Sequence, residues 1–263
     1  MTHADRSTSL VLPAILERVR PLLPADHRVF LVGGTVRDAI LGRAAHDLDF
    51  VVLQGDALRL AKRVADRLQQ SYYPLDVERC TGRVVVEEPS GPLMLDFALA
   101  RGSDLTADLL ARDFTVNALA LPPEGRVIAD VIDPTGGLQD LALKQIRAVG
   151  PGALLADPVR CLRAVRQAHE LGFSLEMGTV TLVQQAVPRV GQVSAERLRD
   201  ELVKILGLVA PVPAIHMLQA LGLLAPMLPE VAALPAGAWE HTRRTIEGLF
   251  VLDDLEEVRP DLV

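Results

Sequence analysis

The chain is poor in cysteine and in aromatic residues. Its two cysteines, Cys80 and Cys161, are too few for a disulfide framework or a four-ligand zinc site. Such sparse cysteine is typical of a reducing compartment, so we expect a cytoplasmic protein. Aromatic residues make up 3% of the 263 residues, which argues against a stacking platform for single-stranded RNA.

Long apolar runs and excess positive charge are also missing. No segment is long and apolar enough to predict a membrane span, and the N-terminal MTHADRSTSLVL lacks the features of a signal peptide. The net charge of -7 argues against a protein that holds nucleic acid by bulk charge. A local basic face remains compatible with RNA binding, and Arg160, Arg163 and Arg166 form one such cluster.

Two aspartates one residue apart, Asp47 and Asp49, are the most informative feature that is present. On a strand every second side chain lies on one face, so both carboxylates are expected to project together. Like charges at this distance repel, and a divalent cation relieves the repulsion. Asp96, on another predicted strand, is a candidate third acid. His46, directly before Asp47, is given no role. The alternative is that these acids are solvated surface residues.

A glycine pair, Gly33 and Gly34, ends a predicted strand and precedes a helix-like stretch, TVRDAIL. Glycine lets the backbone approach a ligand closely, and a helix N-terminus favours phosphate. The spacing fits neither a Rossmann fingerprint nor a P-loop, so an ordinary strand-turn-helix connection is the alternative. Arg37 is either an ion-pair partner of Asp38 or Asp47 or a contact for a triphosphate. Beside a carboxylate pair, the segment predicts phosphoryl or nucleotidyl transfer.

The order of predicted elements divides the chain near Gly150-Pro151-Gly152. Strands and helices alternate before this point, which indicates a mixed sheet domain. Helical patterns follow over 157–171, 176–187, 194–207, 213–224 and 238–250. We therefore predict an α+β protein. It would have an N-terminal head with a small mixed β-sheet and helices (1–150), an all-α neck (151–230) and the start of a helical body (231–263).

Seven segments of the sequence, taken together, resemble a known protein family, although no single segment is specific. They are LVGGTVRDAILG, HDLDF, LDFALAR, ARDFTVNALAL, IDPTGGLQDL, ADPVRCLRAVRQAHELGF and AERLRDEL. Their order resembles that of class II tRNA nucleotidyltransferases, the CCA-adding enzymes, and of bacterial poly(A) polymerases, over residues 29–206. The resemblance implies a nucleotidyltransferase head and a helical neck. It also implies ATP and/or CTP as substrates and a tRNA 3′ end as acceptor.

The resemblance assigns a role to each candidate residue. Asp47 and Asp49 match magnesium ligands, for two ions, and Asp96 matches a third catalytic acid that helps to activate the attacking 3′-hydroxyl. The positions that match nucleotide-binding residues are Gly33, Gly34, Arg37, Arg112, Asp113, Asp157, Arg160, Arg163 and Arg166.

Base selection follows from hydrogen-bond chemistry at Asp157 and Arg160. Aspartate accepts and arginine donates, which fits the amine donor and ring-nitrogen acceptor that adenine and cytosine share. Guanine and uracil present the reverse pattern, and each mismatched buried group costs about 1–3 kcal/mol. The alternative is that Asp157 caps a helix with Pro158 at its first position. In that case Arg163 and Arg166 form a solvated face.

Two further segments resemble structural motifs of the family. Asp133 in the DPTGG turn is expected to shape a loop. The group Glu196, Arg197 and Glu201 resembles a motif that buttresses the base-reading helix, or else forms a surface salt-bridge cluster.

Two departures from the family pattern bear on activity. Ala111 stands where an arginine is usual, and Ala156 where a glutamate is usual. The expected function is extension of a tRNA 3′ end, with complete CCA, CC-only and A-only addition left open. The alternatives are poly(A) synthesis on other RNA and a catalytically impaired nucleotide- or RNA-binding module.

Overall fold

The computed structural model describes residues 7–24, 26, 28–44, 47–89 and 91–235, with scattered positions between 237 and 248. His46 and parts of the predicted last helix and helical body lie outside the described residues. The chain forms two compact units, Met1–Leu143 and Lys144–Val263. The expected boundary near residue 150 therefore lies inside the second unit.

The first unit is built on a six-stranded mixed sheet. Its strands are β1 (Val29–Val32), β2 (Asp47–Val52), β3 (Ser71–Asp76), β4 (Thr81–Glu88), β5 (Gly91–Leu99) and β6 (Ala120–Leu121), in the spatial order β3-β4-β5-β2-β1-β6. Its helices are α1 (Ile15–Val19), α2 (Gly34–Ile40), α3 (Ala57–Leu68), α4 (Leu105–Leu110) and α5 (Gly137–Leu143). Strands β2 and β5 are parallel, whereas the other described pairs are antiparallel. The expected mixed sheet is confirmed.

Helix α3 closes one face of this sheet. Its start is capped by the Asp56 carboxylate, which accepts from the Arg59 N–H at 3.0 Å. Apolar residues at helical spacing, among them Leu60 and Val64, are buried on its inner side. A Cβ at Gly82 would lie 3.1 Å from the Ala61 Cβ, so the glycine allows the helix to lie close on β4.

Side-chain alternation gives β2 two different faces. Leu48 and Phe50 are buried, and the Phe50 ring stacks on Phe97 of β5 with centroids 4.7 Å apart. Asp47 and Asp49 consequently project from the opposite face. In this part of β2, Leu48 and Phe50 thus face the core, and the acidic residues lie on the other face.

The second unit is mainly helical. Its helices are α6 (Ala153–Ala156), α7 (Arg160–Leu171), α8 (Met177–Val190), α9 (Ala195–Leu206), α10 (Pro211–Ala220), α11 (Leu224–Met227) and α12 (Pro229–Ala232). The expected helical neck is confirmed, and two short parallel strands, β7 (Gln145–Ile146) and β8 (Ser174–Leu175), accompany its helices. They form because Gly172 ends α7 in the left-handed conformation and returns the chain beside residues 144–146.

Helix α7 lies at the centre of this unit. It contacts α6, α8, α9 and α10. The apolar side chains of Leu162, Val165 and Ala168 are buried along it. Its arginines are only half-buried, which leaves their guanidinium groups near the surface of the unit. Among the described residues, no helix is long and apolar enough to cross a membrane.

Candidate active site

Three acidic residues share the open face of the sheet in the first unit. Asp47 and Asp49 lie two residues apart on β2, and Asp49 is directly opposite Asp96 on the parallel strand β5. Asp47 is exposed, whereas Asp49 and Asp96 are half-buried. Strand register thus brings Asp96 beside two acids that lie far from it in the sequence.

Arg83 on β4 holds the third acid. Its Nε and Nη2 atoms each donate to one carboxylate oxygen of Asp96, both at 2.7 Å. The pair forms because Arg83 and Asp96 are direct cross-strand partners. Within the described residues, no three His, Cys, Asp or Glu side chains form a ready-made metal cage. Because both oxygens of Asp96 bind Arg83, Asp47 and Asp49 are left as the carboxylate pair for a cation.

The environment of Asp49 favours a bound cation. Burial raises the pKa of Asp49 to about 6, and the carboxylates of Asp96 and Asp47 add to the increase. The guanidinium groups of Arg112 and Arg83 act in the opposite direction. At neutral pH this acid is ionised, but its surroundings destabilise the charged form. A divalent cation that prefers oxygen ligands would stabilise the carboxylate. The donor set therefore fits a hard metal ion such as magnesium.

The turn between β1 and α2 lies against this acid. Gly33 has a φ of +72°, which favours glycine. A Cβ at this position would lie 2.9 Å from Arg112 Nη1 and 3.5 Å from Asp49 Oδ2. Gly34 then begins α2. The glycine pair thus lets a guanidinium and a carboxylate approach the same stretch of backbone.

Thr35 fixes the acid-bearing strand to the start of α2. Its hydroxyl oxygen accepts from the backbone N–H of Asp49 at 3.0 Å and donates to the backbone oxygen of Asp47 at 3.1 Å. The residue is buried. Sequence reasoning missed Thr35, although a hydroxyl directly after the glycine pair was the available signal. It sets the position of both metal-ligand candidates through their backbone.

Arg37 belongs to a polar network behind the glycine turn. Its Nε and Nη2 donate to Asp38 at 2.8 and 2.9 Å, and its Nη1 donates to Asn117 Oδ1 at 2.7 Å. Asn117 in turn donates to the buried carboxylate of Asp113 at 2.9 Å. Of the two ion-pair partners considered from the sequence, the structure selects Asp38. Asn117 was not predicted, since its role depends on contacts across many residues.

Arg112 is oriented by a buried acid. Its Nε and Nη2 donate to Asp108 Oδ2 at 3.1 and 2.8 Å, and the other oxygen of Asp108 accepts from the Arg101 N–H at 2.9 Å. Asp108 lies one helical turn before Arg112, so its spacing was a signal that sequence reasoning missed. The pair leaves Arg112 Nη1 near Gly33 and the Asp49 carboxylate.

The remaining candidates lie in the second unit, at the start of α7 and along it. The helix begins at Arg160 with Val159 as its N-cap, so the alternative in which Asp157 caps this helix is not observed. Pro158 occupies the turn instead, and Asp157 ends the preceding helix α6. The Asp157 carboxylate lies 2.8 Å from Arg197 Nη2 and 3.8 Å from Arg160 Nε. Arg160 also donates to the Ala153 carbonyl at 3.2 Å.

Glu201 of α9 anchors the two other arginines of the cluster. It is buried and accepts from Arg166 Nε at 2.8 Å and from Arg163 Nη1 at 3.4 Å. Burial alone would raise the pKa of Glu201, but the charges of Arg166, Arg163 and Lys204 lower it. Glu201 thus contacts α7 as the expected buttress would, whereas Glu196 and Arg197 are exposed, as in the alternative of a surface cluster.

Loss of Glu201 is expected to destabilise the second unit. Glu201→Ala leaves the half-buried guanidinium groups of Arg163 and Arg166 without their shared acceptor, at a cost of roughly 2 kcal/mol in urea denaturation. The difference in stability between wild type and Glu201→Ala should shrink as the pH falls below 4.5, the ordinary pKa of a glutamate. The pKa of Glu201 is lowered because its partners stabilise only the ionised form, which is lost at low pH. The matched control is Glu170→Ala, which removes a more exposed partner of Arg166 and should cost under about 1 kcal/mol. Equal losses in both variants would contradict the buttress.

Asp133 shapes its loop, as expected. Its carboxylate accepts from the backbone N–H groups of Thr135, Gly136, Gly137 and Leu138 at 2.9 to 3.2 Å. These contacts satisfy the amides that begin α5 and engage both oxygens.

Comparison with known proteins matches both units. Residues 29–147 match the family described as the poly A polymerase head domain, and residues 172–234 match the probable RNA and SrmB-binding site of polymerase A. The chain is similar to a CC-adding tRNA nucleotidyltransferase of Geobacter sulfurreducens, with 42% identity over 193 residues, 73% of this chain and 44% of the relative. It is also similar to an A-adding tRNA nucleotidyltransferase of Deinococcus radiodurans, with 36% identity over 94% of this chain and 56% of the relative.

A solved structure supports the same likeness. The CCA-adding enzyme of Thermotoga maritima, complexed with tRNA-CCA, superimposes with a TM-score of 0.76 and 30% identity. The match covers 98% of this chain and 60% of that protein. The chain spans about half the length of the curated relatives it matches.

Proposed function

The chain belongs to the family of tRNA nucleotidyltransferases and poly(A) polymerases, and on that premise we propose that it adds CMP and/or AMP to a tRNA 3′ end and releases pyrophosphate. The observation that carries the proposal is the placement of Asp49 opposite Asp96, beside the Gly33 turn and Arg112. The relatives to which this chain is similar include both CC-adding and A-adding enzymes. The few cysteines further support a reducing, cytoplasmic setting.

The metal would be Mg²⁺, held by Asp47 and Asp49, with two ions as the proposed stoichiometry. Support comes from the raised pKa of Asp49, because a buried carboxylate beside further acids is stabilised by a hard cation. When bound, the metal neutralises the charge of the triphosphate and makes the α-phosphate more reactive.

Side chains of the first unit would position the two reactants. Arg112 and Arg37 would bind phosphate oxygens, and the Gly33–Gly34 backbone would let the triphosphate approach α2 closely. Arg112 is suited to this role because Asp108 fixes its orientation. A carboxylate oxygen of Asp96 would accept the proton of the attacking 3′-hydroxyl, with Arg83 holding that carboxylate in place.

Residues of the second unit would select the base. Asp157 would accept a hydrogen bond from the exocyclic amine of cytosine or adenine, and Arg160 would donate to the ring nitrogen. Arg163 and Arg166, held by Glu201, would support this helix and contribute positive charge to nucleotide binding. The same pair suits complete CCA addition, CC addition, A addition and poly(A) synthesis.

The test is incorporation of labelled ATP or CTP, each alone, into tRNAs that end in C, CC or CCA. The full chain is assayed with Mg²⁺ and with EDTA. We expect metal-dependent addition, and the acceptor that is extended by each nucleotide identifies the member of the family. Comparable extension of unrelated RNA would favour poly(A) synthesis. No incorporation with any acceptor, by a folded protein, would overturn the proposal and favour a binding module.

A further inference from the structure

A row of side chains continues from the acids across the open face of the sheet. Asp49 is opposite Asp96, Asp96 is opposite Arg83, and Arg83 is opposite Tyr73 on the edge strand β3. Direct cross-strand partners lie on the same face, so these four side chains form one line. We call Tyr73, Arg83 and Asp96 the acceptor row.

The far end of the row is open to solvent. The Tyr73 side chain is 54% exposed, whereas Tyr72 lies on the opposite face near Gly82 and α3. Val85 and Met94, which are also cross-strand partners, are half-buried beside Arg83 and Asp96. An exposed aromatic ring therefore lies next to an arginine and a small apolar surface, in a chain with few aromatic residues.

Arg83 links the open end to the acids. It uses Nε and Nη2 to bind Asp96, and these bonds leave Nη1 outside the pair. The side chain is 34% exposed. A guanidinium in this geometry can hold a catalytic carboxylate with one edge and bind a phosphate with the other.

We propose that the acceptor row binds the last nucleotides of the acceptor RNA, with Tyr73 stacking on a base and Arg83 contacting the phosphate between that base and the 3′-hydroxyl. The proposal rests on the proposed function, because the attacking 3′-hydroxyl must then lie beside Asp96.

Two features of the sheet select this path for the RNA. On the other side of β2, all residues of β1 are buried, and the Gly33 turn is the proposed site of the triphosphate. On the β5, β4 and β3 side, the same face stays open as far as Tyr73. Neighbouring strands are about 4.8 Å apart, so Tyr73 lies roughly 10 Å from Asp96. This distance suits a nucleotide that precedes the 3′ end.

The first test measures acceptor binding directly. Fluorescence anisotropy with labelled tRNA that lacks its terminal adenosine is carried out on the full chain and on Tyr73→Ala, Tyr73→Phe and Val77→Ala. Tyr73→Ala loses the stacking on one base and should bind the tRNA about tenfold more weakly than wild type. Tyr73→Phe keeps the ring and should bind with wild-type affinity. Val77 is 66% exposed in the turn after β3 and serves as the matched apolar control. In the incorporation assay, Tyr73→Ala should raise KM for the acceptor while KM for the nucleotide stays within about twofold.

A second variant tests the phosphate contact. Arg83→Gln should reduce the dependence of log Kd on log salt concentration by about 0.7, the value for one single-strand phosphate. A purely structural partner of Asp96 would lower the rate of incorporation without changing this slope.

Some results would overturn the acceptor row. They are unchanged acceptor binding by Tyr73→Ala, an equal loss in Val77→Ala, or an unchanged salt slope in Arg83→Gln. Because binding is measured without turnover, an inactive wild-type protein would refute the proposed function through the incorporation assay alone.

Discussion

Asp49→Asn is expected to lower nucleotide incorporation by at least about a thousandfold while the protein remains folded. The substitution keeps the shape of the side chain and removes the charge that the metal ion requires. A loss of roughly 4 kcal/mol of transition-state stabilisation corresponds to this factor. The measurement is single-turnover incorporation of labelled CTP or ATP at saturating Mg²⁺. Asp66→Asn is the control, because Asp66 is an exposed acid on α3 that pairs with Lys62.

The folded state of this variant should be at least as stable as wild type when no metal is added. The pKa of Asp49 is raised from 3.8 to about 6, so the folded protein binds this proton more tightly than the unfolded chain. Wild-type stability therefore falls as the pH rises from about 4 to 6, and stays lower above that range. Asparagine does not titrate, so Asp49→Asn should gain up to about 3 kcal/mol relative to wild type well above pH 6.

Added magnesium should make the wild-type protein more stable than Asp49→Asn. Mg²⁺ binds the folded wild-type site and raises its melting temperature at pH 8, by mass action. Asp49→Asn lacks the required charge and should show no such increase, while Asp66→Asn should behave like wild type. Activity near that of wild type, or an equal magnesium-dependent increase in melting temperature, would contradict the assignment of Asp49 as a metal ligand.

The local sequence pattern predicted the acid-bearing face of the sheet but not the residues that hold the site side chains in position. Alternation along β2 sufficed to place Asp47 and Asp49 together, since period-2 geometry is a local property. The Thr35 clamp, the Asp108 partner of Arg112 and the Asn117 bridge depend on which segments meet in the folded chain. Single-sequence patterns contain little of that information.

In the fold, too, local patterns could be predicted and features that depend on long-range contacts could not. The mixed sheet was expected from alternating elements, but the edge strand β3 was not predicted, because Pro74 and exposed apolar residues obscure its alternation. The two short strands β7 and β8 were missed since each has only two residues. For a related reason, the alternative cap at Asp157 is not observed. A preceding one-turn helix ends at Ala156 with Asp157 as its C-cap, and α7 starts at Arg160.

Arg160→Ala should weaken discrimination against UTP and GTP. In the proposed base-reading role, the ring N–H of a wrong base would meet the Arg160 guanidinium, and a mismatched buried donor costs about 1–3 kcal/mol. Removing Arg160 removes both this penalty and the bond to the correct base. We therefore expect the ratio of kcat/KM for CTP to that for UTP, and for ATP to that for GTP, to fall by roughly tenfold or more.

The surroundings of Arg160 call for a specific control. Arg160 also donates to the Ala153 carbonyl of α6, so its loss could act through the position of that helix. Arg189 donates to the neighbouring Leu155 carbonyl at 3.4 Å from α8 and is exposed. Arg189→Ala should therefore disturb α6 in a similar way without changing nucleotide selection.

The contacts of Asp157 determine how the result is interpreted. Arg197 and Arg160 both approach the same oxygen of Asp157, Oδ2, at 2.8 and 3.8 Å. Arg197 therefore holds Asp157 through this one oxygen. In the proposed role the other oxygen, Oδ1, would accept from the base amine, and Arg197 would keep the carboxylate in place when Arg160 is removed. Residual preference for CTP and ATP in Arg160→Ala should consequently depend on Asp157, and disappear in Asp157→Ala/Arg160→Ala. A four-nucleotide profile that stays unchanged in Arg160→Ala would exclude this pair as the base reader.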